Sequence, residues 1–235
     1  MFVTGADKGL GYCLAEKFSA EGYAVLAGCL GDGAKFKELA ARLGKAGGGS
    51  VTPVTQDVTD MVSVRASAQM VAGQVDSLDV LINCAGVGFD VGTPLTKVDL
   101  TDGSLEKMMT VNAYGPLRVT QAFLGLLEKG RDQRLVNISS EAGSIGANWR
   151  DVGFGYGMSK AALNMQSQIM QRYFKPKGIK VLVLHPGWMR TDMGGPTAHI
   201  SPEEAAAAVF GLTTRPWEIT DEATYLDYQG KAFPW

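Results

Sequence analysis

Tyr156 and Lys160 lie four positions apart in the stretch YGMSK, residues 156–160. Residues four apart on an α-helix share one face, so the two side chains can point together into a cleft. Tyrosine is a weak acid with an ordinary pKa of about 10, and a cation within about 4–6 Å favours the phenolate and lowers that pKa. General acids work best when their pKa lies near the working pH. The spacing therefore predicts a tyrosine made usable for proton transfer by a lysine, although chance also places such pairs on helices.

Short apolar, β-branched runs alternate with longer segments of helical character along the chain. The candidate strands are Phe2–Thr4, Ala24–Ala27, Val51–Thr55, Val80–Asn83, Leu135–Ser139, Val181–His185 and Ala223–Leu226. The candidate helices lie near 9–21, 33–44, 60–76, 104–129, 156–174 and 202–212. Strands separated by helix-length segments form βαβ units, and this alternation predicts a parallel sheet with helices on both faces.

Pro53 lies within the third candidate strand and cannot donate a backbone hydrogen bond to a neighbour. It therefore favours an edge position for that strand. This predicts an α/β fold of the Rossmann type, a doubly wound parallel sheet with strand order 3-2-1-4-5-6-7. No internal repeat or interdomain linker divides the chain, so we interpret residues 1–235 as a single domain.

The composition excludes several functional classes. Lys and Arg (22) nearly balance Asp and Glu (24), and neither sign forms a long run, so we expect no nucleic-acid and no membrane partner. No signal peptide or membrane-length apolar run is recognisable. Cys13, Cys29 and Cys84 lack metal-ligand spacing and suit buried free thiols in a reducing compartment. We therefore expect a cytoplasmic protein without a metal site.

A glycine-rich loop, TGADKGLG at residues 4–11, connects the first candidate strand to the first helix. Glycines permit a tight turn and a close approach of the backbone to a pyrophosphate, and the following helix N-terminus offers free N–H groups and partial positive charge. Many loops carry glycines by chance. The placement of this one between strand and helix favours dinucleotide binding.

The end of the second strand lacks the acid that commonly binds the ribose hydroxyls of NAD. Gly28, Cys29 and Leu30 stand there instead. Lys8 of the glycine loop could face the 2′-phosphate of NADP, or it could be an ordinary solvated loop lysine. The first interpretation predicts that NADP(H) is favoured over NAD(H).

Over nearly its whole length the sequence resembles the short-chain dehydrogenase/reductase family in its compact, single-domain form. The matching motifs occur in the family's order and are TGADKGLG (4–11), DV (57–58), NCAG (83–86), Asn112 in VNAYGP, NISS (137–140), YGMSK (156–160) and HPGWMRTDM (185–193). Cys84 replaces the second asparagine of the family's NNAG. Within the family, the C-terminal third is similar to sniffer-type carbonyl reductases and C-factor-like proteins.

This resemblance implies which residues contact a nicotinamide dinucleotide. They are Gly5, Lys8, Gly9, Leu10 and Gly11 of the glycine loop, Asp57 and Val58 at the adenine, Asn83, Ala85 and Gly86 after the fourth strand, Tyr156 and Lys160, and Pro186, Gly187, Met189 and Thr191 over the nicotinamide. Position 29 departs from the family pattern, because Cys29 stands where an arginine is expected in NADP-preferring members. The NADP assignment therefore depends mainly on Lys8.

The resemblance also implies a mechanism of carbonyl reduction. Tyr156 would protonate the alkoxide formed by hydride transfer, and Ser140 would hydrogen-bond the carbonyl oxygen. Lys160 would bind the nicotinamide ribose, and Asn112 would hold a water that links Lys160 to solvent. On an extended strand neighbouring side chains point to opposite faces, so only one of Ser139 and Ser140 can reach Tyr156. The family motif places the catalytic hydroxyl on Ser140.

The substrate implied by the resemblance is a small carbonyl compound or the corresponding alcohol. Loops 87–99, 143–155 and 188–201 flank the expected site and carry Phe89, Trp149, Phe154, Trp188 and Met193. These side chains could line an apolar pocket for a bulky ketone, aldehyde or quinone, or could pack against the scaffold. The charged residues of the same loops, including Asp90, Arg150 and Asp192, are mixed in sign.

The resemblance also implies an oligomeric state and leaves a second class of function open. Relatives commonly dimerise through helices corresponding to 104–129 and 156–174, which implies a homodimer or homotetramer. The alternative to an enzyme is a C-factor-like protein that binds a dinucleotide and acts in signalling or regulation. Ser140, Tyr156, Lys160 and Asn112 together favour the enzyme, because a pure binding module has no physical need for all four.

Overall fold

The strands form one parallel sheet in the order predicted from the sequence. The computed structural model describes residues 1–31, 34, 36, 38, 39, 41, 48–220 and 222–235. Across these residues a seven-stranded sheet has the order β3-β2-β1-β4-β5-β6-β7, and every pairing is parallel. The strands are β1 (Phe2–Val3), β2 (Ala24–Cys29), β3 (Ser50–Thr55), β4 (Val80–Asn83), β5 (Arg134–Ile138), β6 (Lys180–His185) and β7 (Thr224–Asp227). Pro53 lies on the edge strand β3, as predicted.

The helices occupy both faces of this sheet, with one departure from the expected bounds. They are α1 (Gly9–Ala20), α2 (Met61–Ala72), α3 (Ser104–Met109), α4 (Gly115–Leu127), α5 (Phe154–Phe174) and α6 (Pro202–Thr214). The helix predicted near 33–44 lies largely outside the described residues. The helix predicted over 104–129 is not one regular α-helix, because the π-helical segment Thr110–Tyr114 lies between α3 and α4. Such segments occur frequently at functional sites.

Alternating strand residues build two separate cores, one on each face. On one face Val3, Ile82 and Val136 join residues of α1 and α6. On the other face Phe2, Leu81 and Leu135 join residues of α2, α4 and α5. Successive side chains of a strand point to opposite faces, so a strand buried on both sides is apolar at successive positions.

The sheet reverses its winding direction between β1 and β4, and this switch point opens a crevice. In open α/β sheets, ligands bind outside the carboxyl ends of the strands at such a point. The Thr4 hydroxyl joins the two strand ends, since its oxygen accepts the N–H groups of Cys84 and Ala85 at 3.0 Å each. The glycine loop after β1 and the NCAG segment after β4 therefore meet at the crevice.

Candidate active site

Tyr156 lies in the first turn of α5, where the carboxylate of Asp90 holds the helix N-terminus. Asp90 Oδ2 accepts the N–H of Gly155 at 2.6 Å, and Oδ1 accepts the N–H of Tyr156 at 3.1 Å. A carboxylate is favourable there because the first N–H groups of a helix lack partners within the helix. Asp90 is 6% exposed. Although it belongs to a loop that flanks the expected site, Asp90 is buried and supports the helix that carries Tyr156.

The side chains of the two serines after β5 lie in different surroundings. The Ser139 hydroxyl donates to Asn164 Oδ1 at 2.6 Å, inside the protein. The Ser140 hydroxyl lies near enough to the Tyr156 side chain to lower its pKa. Ser140 also accepts the N–H of Ala142 at 3.2 Å, and the Tyr225 hydroxyl donates to its carbonyl oxygen at 2.6 Å. Ser140, and not Ser139, is thus the hydroxyl beside the candidate acid.

Lys160 approaches Tyr156 from one helical turn further along α5. Its Nζ lies 5.8 Å from the centre of the Tyr156 ring and donates to the Ile138 carbonyl at 2.9 Å. The side chain is buried, and burial lowers the pKa of Lys160 to about 8, while the nearby Cys84 acts in the opposite direction. Lys160 is therefore an ammonium group with a weakened hold on its proton at the crevice.

The pKa of Tyr156 moves in the opposite direction from the one expected. Burial raises it above the ordinary value and outweighs the neighbouring Ser140 hydroxyl, which lowers it. Glu141 raises this pKa further, and Arg150 lowers it. The sequence argument considered only the lysine and omitted desolvation, which disfavours the phenolate. With the protein's own groups alone, Tyr156 stays protonated at neutral pH, which is the form that a proton donor needs.

Asn112 lies in the middle of the π segment and ties it to the neighbouring elements. Its Nδ2 donates to the Val87 carbonyl at 2.8 Å and to the Ser159 hydroxyl at 2.9 Å, while Oδ1 accepts the N–H of Val87 at 2.8 Å. A Cβ added at Gly86 would lie 3.4 Å from Asn112 Oδ1 and 3.7 Å from Lys160 Nζ. Asn112 and Lys160 therefore border the same glycine.

The glycine loop has the geometry that a pyrophosphate requires. Gly5 and Gly9 have positive φ angles of 66° and 57°, and a Cβ at Gly11 would lie 2.2 Å from the Gly5 carbonyl oxygen. No described side chain caps the N-terminus of α1, which begins at Gly9. Its N–H groups therefore remain available to an anion. These residues fit a dinucleotide, and Thr191 lies beside them, 3.6 Å from a Cβ built on Gly9.

Lys8 and Asp7 of the glycine loop both have protein partners. Lys8 Nζ forms an ion pair with Asp192 at 2.5 Å, and both side chains are mostly exposed. Asp7 accepts the N–H groups of Leu30 and Gly31, each at 3.0 Å. The carboxylate missing from the end of β2 is thus supplied by the glycine loop, an arrangement that the sequence analysis missed.

The other predicted cofactor contacts surround the crevice, although several of their side chains are committed to the scaffold. Leu10 and Val58 are buried in the two cores. Asn83 donates to Thr120 Oγ1 at 3.2 Å and to Asn137 Oδ1 at 2.8 Å. Asp57 accepts the N–H and the hydroxyl of Thr59. At these positions the backbone, rather than the side chain, would be available to a cofactor.

The segment after β6 closes the far side of the crevice. Pro186 is buried, and Gly187 has a φ of 88° with Ile200 and Tyr228 packed where a side chain would stand. Met189 forms a parallel bridge with Ile200. A glycine is required here because an L side chain at this φ would be strained and would clash with these neighbours.

An ion pair that the sequence analysis missed stands beside Ser140. Glu141 and Arg150 join at 2.7 Å between Oε1 and Nη2, and both side chains are mostly buried. The Ser140 hydroxyl donates to Glu141 Oε2 at 3.3 Å. The only signal in the sequence was a charged residue directly after the candidate serine.

Neither a cluster of metal ligands nor a membrane-spanning helix is present among the described residues. Over that part of the chain no group of three or more His, Cys, Asp and Glu side chains could hold a metal ion. No helix in the same ranges is long and apolar enough to cross a membrane.

The switch-point crevice, its glycine loop and the group around Tyr156 define a nucleotide-dependent oxidoreductase of the doubly wound α/β class. Residues 1–200 match the family model described as short chain dehydrogenase. The chain belongs to the short-chain dehydrogenase/reductase family and is an NAD(P)-dependent oxidoreductase of that family.

Individual relatives cover most of this chain. The C-signal protein of Myxococcus xanthus is 39% identical over 162 residues, which is 67% of this chain and 93% of that protein. A 1-hydroxy-2-glutathionyl-2-methyl-3-butene dehydrogenase of Rhodococcus sp. (strain AD45) is 35% identical over 89% of this chain and 88% of its own length. An NADPH-bound carbonyl reductase from chicken fatty liver has a TM-score of 0.87 and 30% identity, covering 100% of this chain and 98% of that one.

Proposed function

We propose that this protein is an NADP(H)-dependent reductase of ketones, aldehydes or quinones, and that a single domain carries both the cofactor site and the substrate site. The observation that carries the proposal is the group formed by Ser140, Tyr156 and Lys160. The Ser140 hydroxyl lies near enough to the Tyr156 side chain to lower its pKa, and the Lys160 ammonium lies 5.8 Å from the centre of the Tyr156 ring. The carbonyl reductase of similar structure, which holds NADPH, supports the cofactor and the reaction class.

In the proposed mechanism the residues bind, orient and move a proton. A bound reduced nicotinamide dinucleotide supplies the hydride to the carbonyl carbon. Ser140 donates a hydrogen bond to the carbonyl oxygen, and Tyr156 passes its phenolic proton to that oxygen as negative charge develops there. Lys160 binds the nicotinamide ribose and stabilises the phenolate that remains.

Asn112 supports this arrangement from the π segment. Both of its amide hydrogens are already used, so a relay water would have to bind the remaining acceptor position on Oδ1. Its demonstrated contacts hold Val87 and Ser159, which lie next to the cofactor segment and on the helix of the catalytic tyrosine. We propose that this positioning is its larger contribution.

The proposed substrate is uncharged and fairly bulky. Phe89, Trp149, Phe154, Trp188 and Met193 are all exposed rather than packed into the scaffold, and Arg150 is neutralised by Glu141. An apolar rim with Ser140 and Tyr156 as the polar groups suits an aromatic ketone, aldehyde or quinone better than a small keto acid.

The test is NADPH oxidation with a bulky aromatic diketone and with pyruvate, using wild type and Tyr156→Phe. We expect Tyr156→Phe to lower kcat at least about a hundredfold, because the ring remains but the transferable proton is lost. Cofactor binding should change little. The aromatic substrate should have a kcat/KM higher by on the order of thirtyfold or more, since burial of a ring contributes about 2–3 kcal/mol.

Tyr173→Phe is the matched control, because it makes the same chemical change on an exposed part of α5. Near-full activity of Tyr156→Phe would show that the mechanism is wrong. A preference for pyruvate would reject the substrate class and leave the catalytic group intact.

A second candidate function is a dinucleotide-binding signalling protein, favoured by the 39% identity to the C-signal protein. It predicts NADPH binding without turnover of any carbonyl compound. The same assay, combined with a direct binding titration, separates the two functions.

We also propose a homodimer in the cytoplasm. Exposed apolar side chains on α4 and α5 support the dimer, and they include Leu117, Met165, Ile169 and Tyr173. The three free cysteines support a reducing compartment.

A further inference from the structure

We propose that the Glu141–Arg150 ion pair is a positioning device that orients the Ser140 hydroxyl beside Tyr156. This inference rests on the proposed function for its catalytic meaning. The network itself is a feature of the protein, and it connects four side chains in the order Arg150, Glu141, Ser140, Tyr156.

The first link is the ion pair. Arg150 Nη2 donates to Glu141 Oε1 at 2.7 Å, and Arg150 Nε donates to Oε2 at 3.4 Å. The guanidinium therefore hydrogen-bonds both carboxylate oxygens. The two side chains are 16% and 21% exposed. A bidentate pair that is mostly removed from water has a fixed geometry and is weakly screened by salt.

The second link joins the pair to the candidate serine. Ser140 has one hydroxyl proton, and it donates that proton to Glu141 Oε2 at 3.3 Å while its oxygen accepts the N–H of Ala142. Glu141 thereby fixes the rotamer of the hydroxyl. A substrate oxygen would take over the same proton, because a hydroxyl can donate only once.

The third link is electrostatic and reaches Tyr156. Glu141 raises the pKa of Tyr156, and Arg150 lowers it. Glu141 and Arg150 thus have opposite effects on the pKa of Tyr156, which partly cancel while both charges are present. Removal of either charge leaves the effect of the other uncompensated. The two single variants should therefore move the ionisation of Tyr156 in opposite directions, which a purely structural defect would not do.

Other groups around Tyr156 stay constant in such a comparison. They are Lys160 on the same helix, Asp90 after β4, Tyr225 on β7, and His185 at the end of β6, which interacts with both members of the ion pair and with Asp227. Burial lowers the pKa of His185 below its ordinary value. Its titration therefore lies on the acid side, away from that of tyrosine.

The experiment measures kcat for carbonyl reduction against pH in wild type, Glu141→Gln and Arg150→Gln. Reduction requires protonated Tyr156, so the rate falls as pH rises through the pKa of that residue. We expect this falling limb to move by about half a unit to one unit toward lower pH in Glu141→Gln and toward higher pH in Arg150→Gln. In the double variant the two shifts should largely cancel.

Glu106→Gln is the control for charge alone, because Glu106 is exposed on α3 and its loss changes the net charge by the same amount. Arg150→Lys keeps the positive charge, so the fall of kcat at high pH should occur at the same pH as in wild type. Thermal melts of each variant identify any that fail to fold.

A second readout does not depend on turnover. The ultraviolet absorbance of tyrosinate, taken as the difference between each protein and its Tyr156→Phe counterpart, reports the ionisation of Tyr156 directly. The same opposite shifts are expected there. If neither variant shifts this titration, or both shift it in one direction, the inference is wrong. If the titration shifts as expected but no carbonyl compound is reduced, the proposed function fails instead.

Discussion

At the scale of single residues, burial decides the behaviour of the two central titratable groups. Desolvation disfavours whichever form is charged, so it raises the pKa of the Tyr156 phenol and lowers the pKa of the Lys160 ammonium to about 8. Both shifts favour the neutral forms. The two pKa values, which nearly coincide in water, therefore move apart, so that Tyr156 keeps its proton while Lys160 holds its own less tightly.

The predicted preference for NADPH depends on the exposed ammonium of Lys8 and on the carboxylate of Asp192, which competes with a 2′-phosphate for it. Lys8 is the candidate ligand for a 2′-phosphate, yet its ammonium is paired with Asp192. Asp7 places a further carboxylate at the end of β2. We expect NADPH to bind more tightly than NADH, but only by on the order of threefold to tenfold, because exposed charge contacts are weak and screened.

Titrations of both cofactors against Lys8→Ala and Asp192→Asn test this balance. Lys8→Ala should remove most of the preference for NADPH, and Asp192→Asn should enlarge it by releasing Lys8 from a competing carboxylate. Lys129→Ala removes the same charge from an exposed position after α4 and should leave the ratio unchanged. Equal affinities in wild type, or a constant ratio in Lys8→Ala, would contradict the assignment.

At the scale of elements, the position of Tyr156 depends on the seam between the segment after β4 and the start of α5. Asp90 bonds the first turn of α5, and Pro94 and Val152 form an antiparallel bridge beside it. A Cβ at Gly88 would lie 3.2 Å from Tyr156 Cδ2, so this segment also contacts the ring. Two elements far apart in sequence thus fix the side chain of Tyr156.

Asp90→Asn should lower kcat about ten- to hundredfold, since a shift of about 1 Å in a catalytic group has effects of that size. The amide has one acceptor oxygen, so one buried N–H of the helix loses its partner and the negative charge at the helix N-terminus is lost. The dissociation constant of NADPH should change little, because the glycine loop is untouched. Asp151→Asn, an exposed aspartate in the loop before α5, is the matched control. A wild-type kcat in Asp90→Asn would contradict the positioning role.

The sequence predicted the elements better than it predicted their contacts. Apolar periodicity located the strands to within two residues at each end, and Pro53 identified the edge. The π segment around Asn112 was missed, because a single extra residue in a helical turn leaves no trace in the hydrophobic pattern. Spacing and motif predicted Ser140, Tyr156 and Lys160 as a group, and these side chains do lie near one another, although their catalytic roles stay predictions. Asp90, Glu141 and Tyr225 were missed as supports, because each acts through a tertiary contact that sequence distance conceals.

At the scale of the whole molecule, one face of α5 carries apolar side chains that the fold leaves exposed. Met158, Met165, Ile169 and Tyr173 are each more than half exposed and follow one another at intervals of seven, four and four residues. That spacing places them on one side of the helix. Leu117 and Tyr114 add exposed apolar surface at α4 and the segment before it. A contiguous patch of this kind is typical of an interface.

The proposed homodimer predicts that a charge in the middle of this patch abolishes association. Ile169 is 62% exposed on α5, so Ile169→Glu should leave the fold intact while placing a carboxylate where a partner copy would bury it unpaired. We expect wild type to have the mass of a dimer or tetramer by light scattering, and Ile169→Glu to have a lower mass at the same concentration.

Val62→Glu is the matched control, because Val62 is 76% exposed on α2, outside the patch. Since Tyr156 is supported within its own chain by Asp90 and Ser140, the dissociated variant should keep its NADPH affinity. A monomeric wild type, or an Ile169→Glu variant of unchanged mass, would reject this interface.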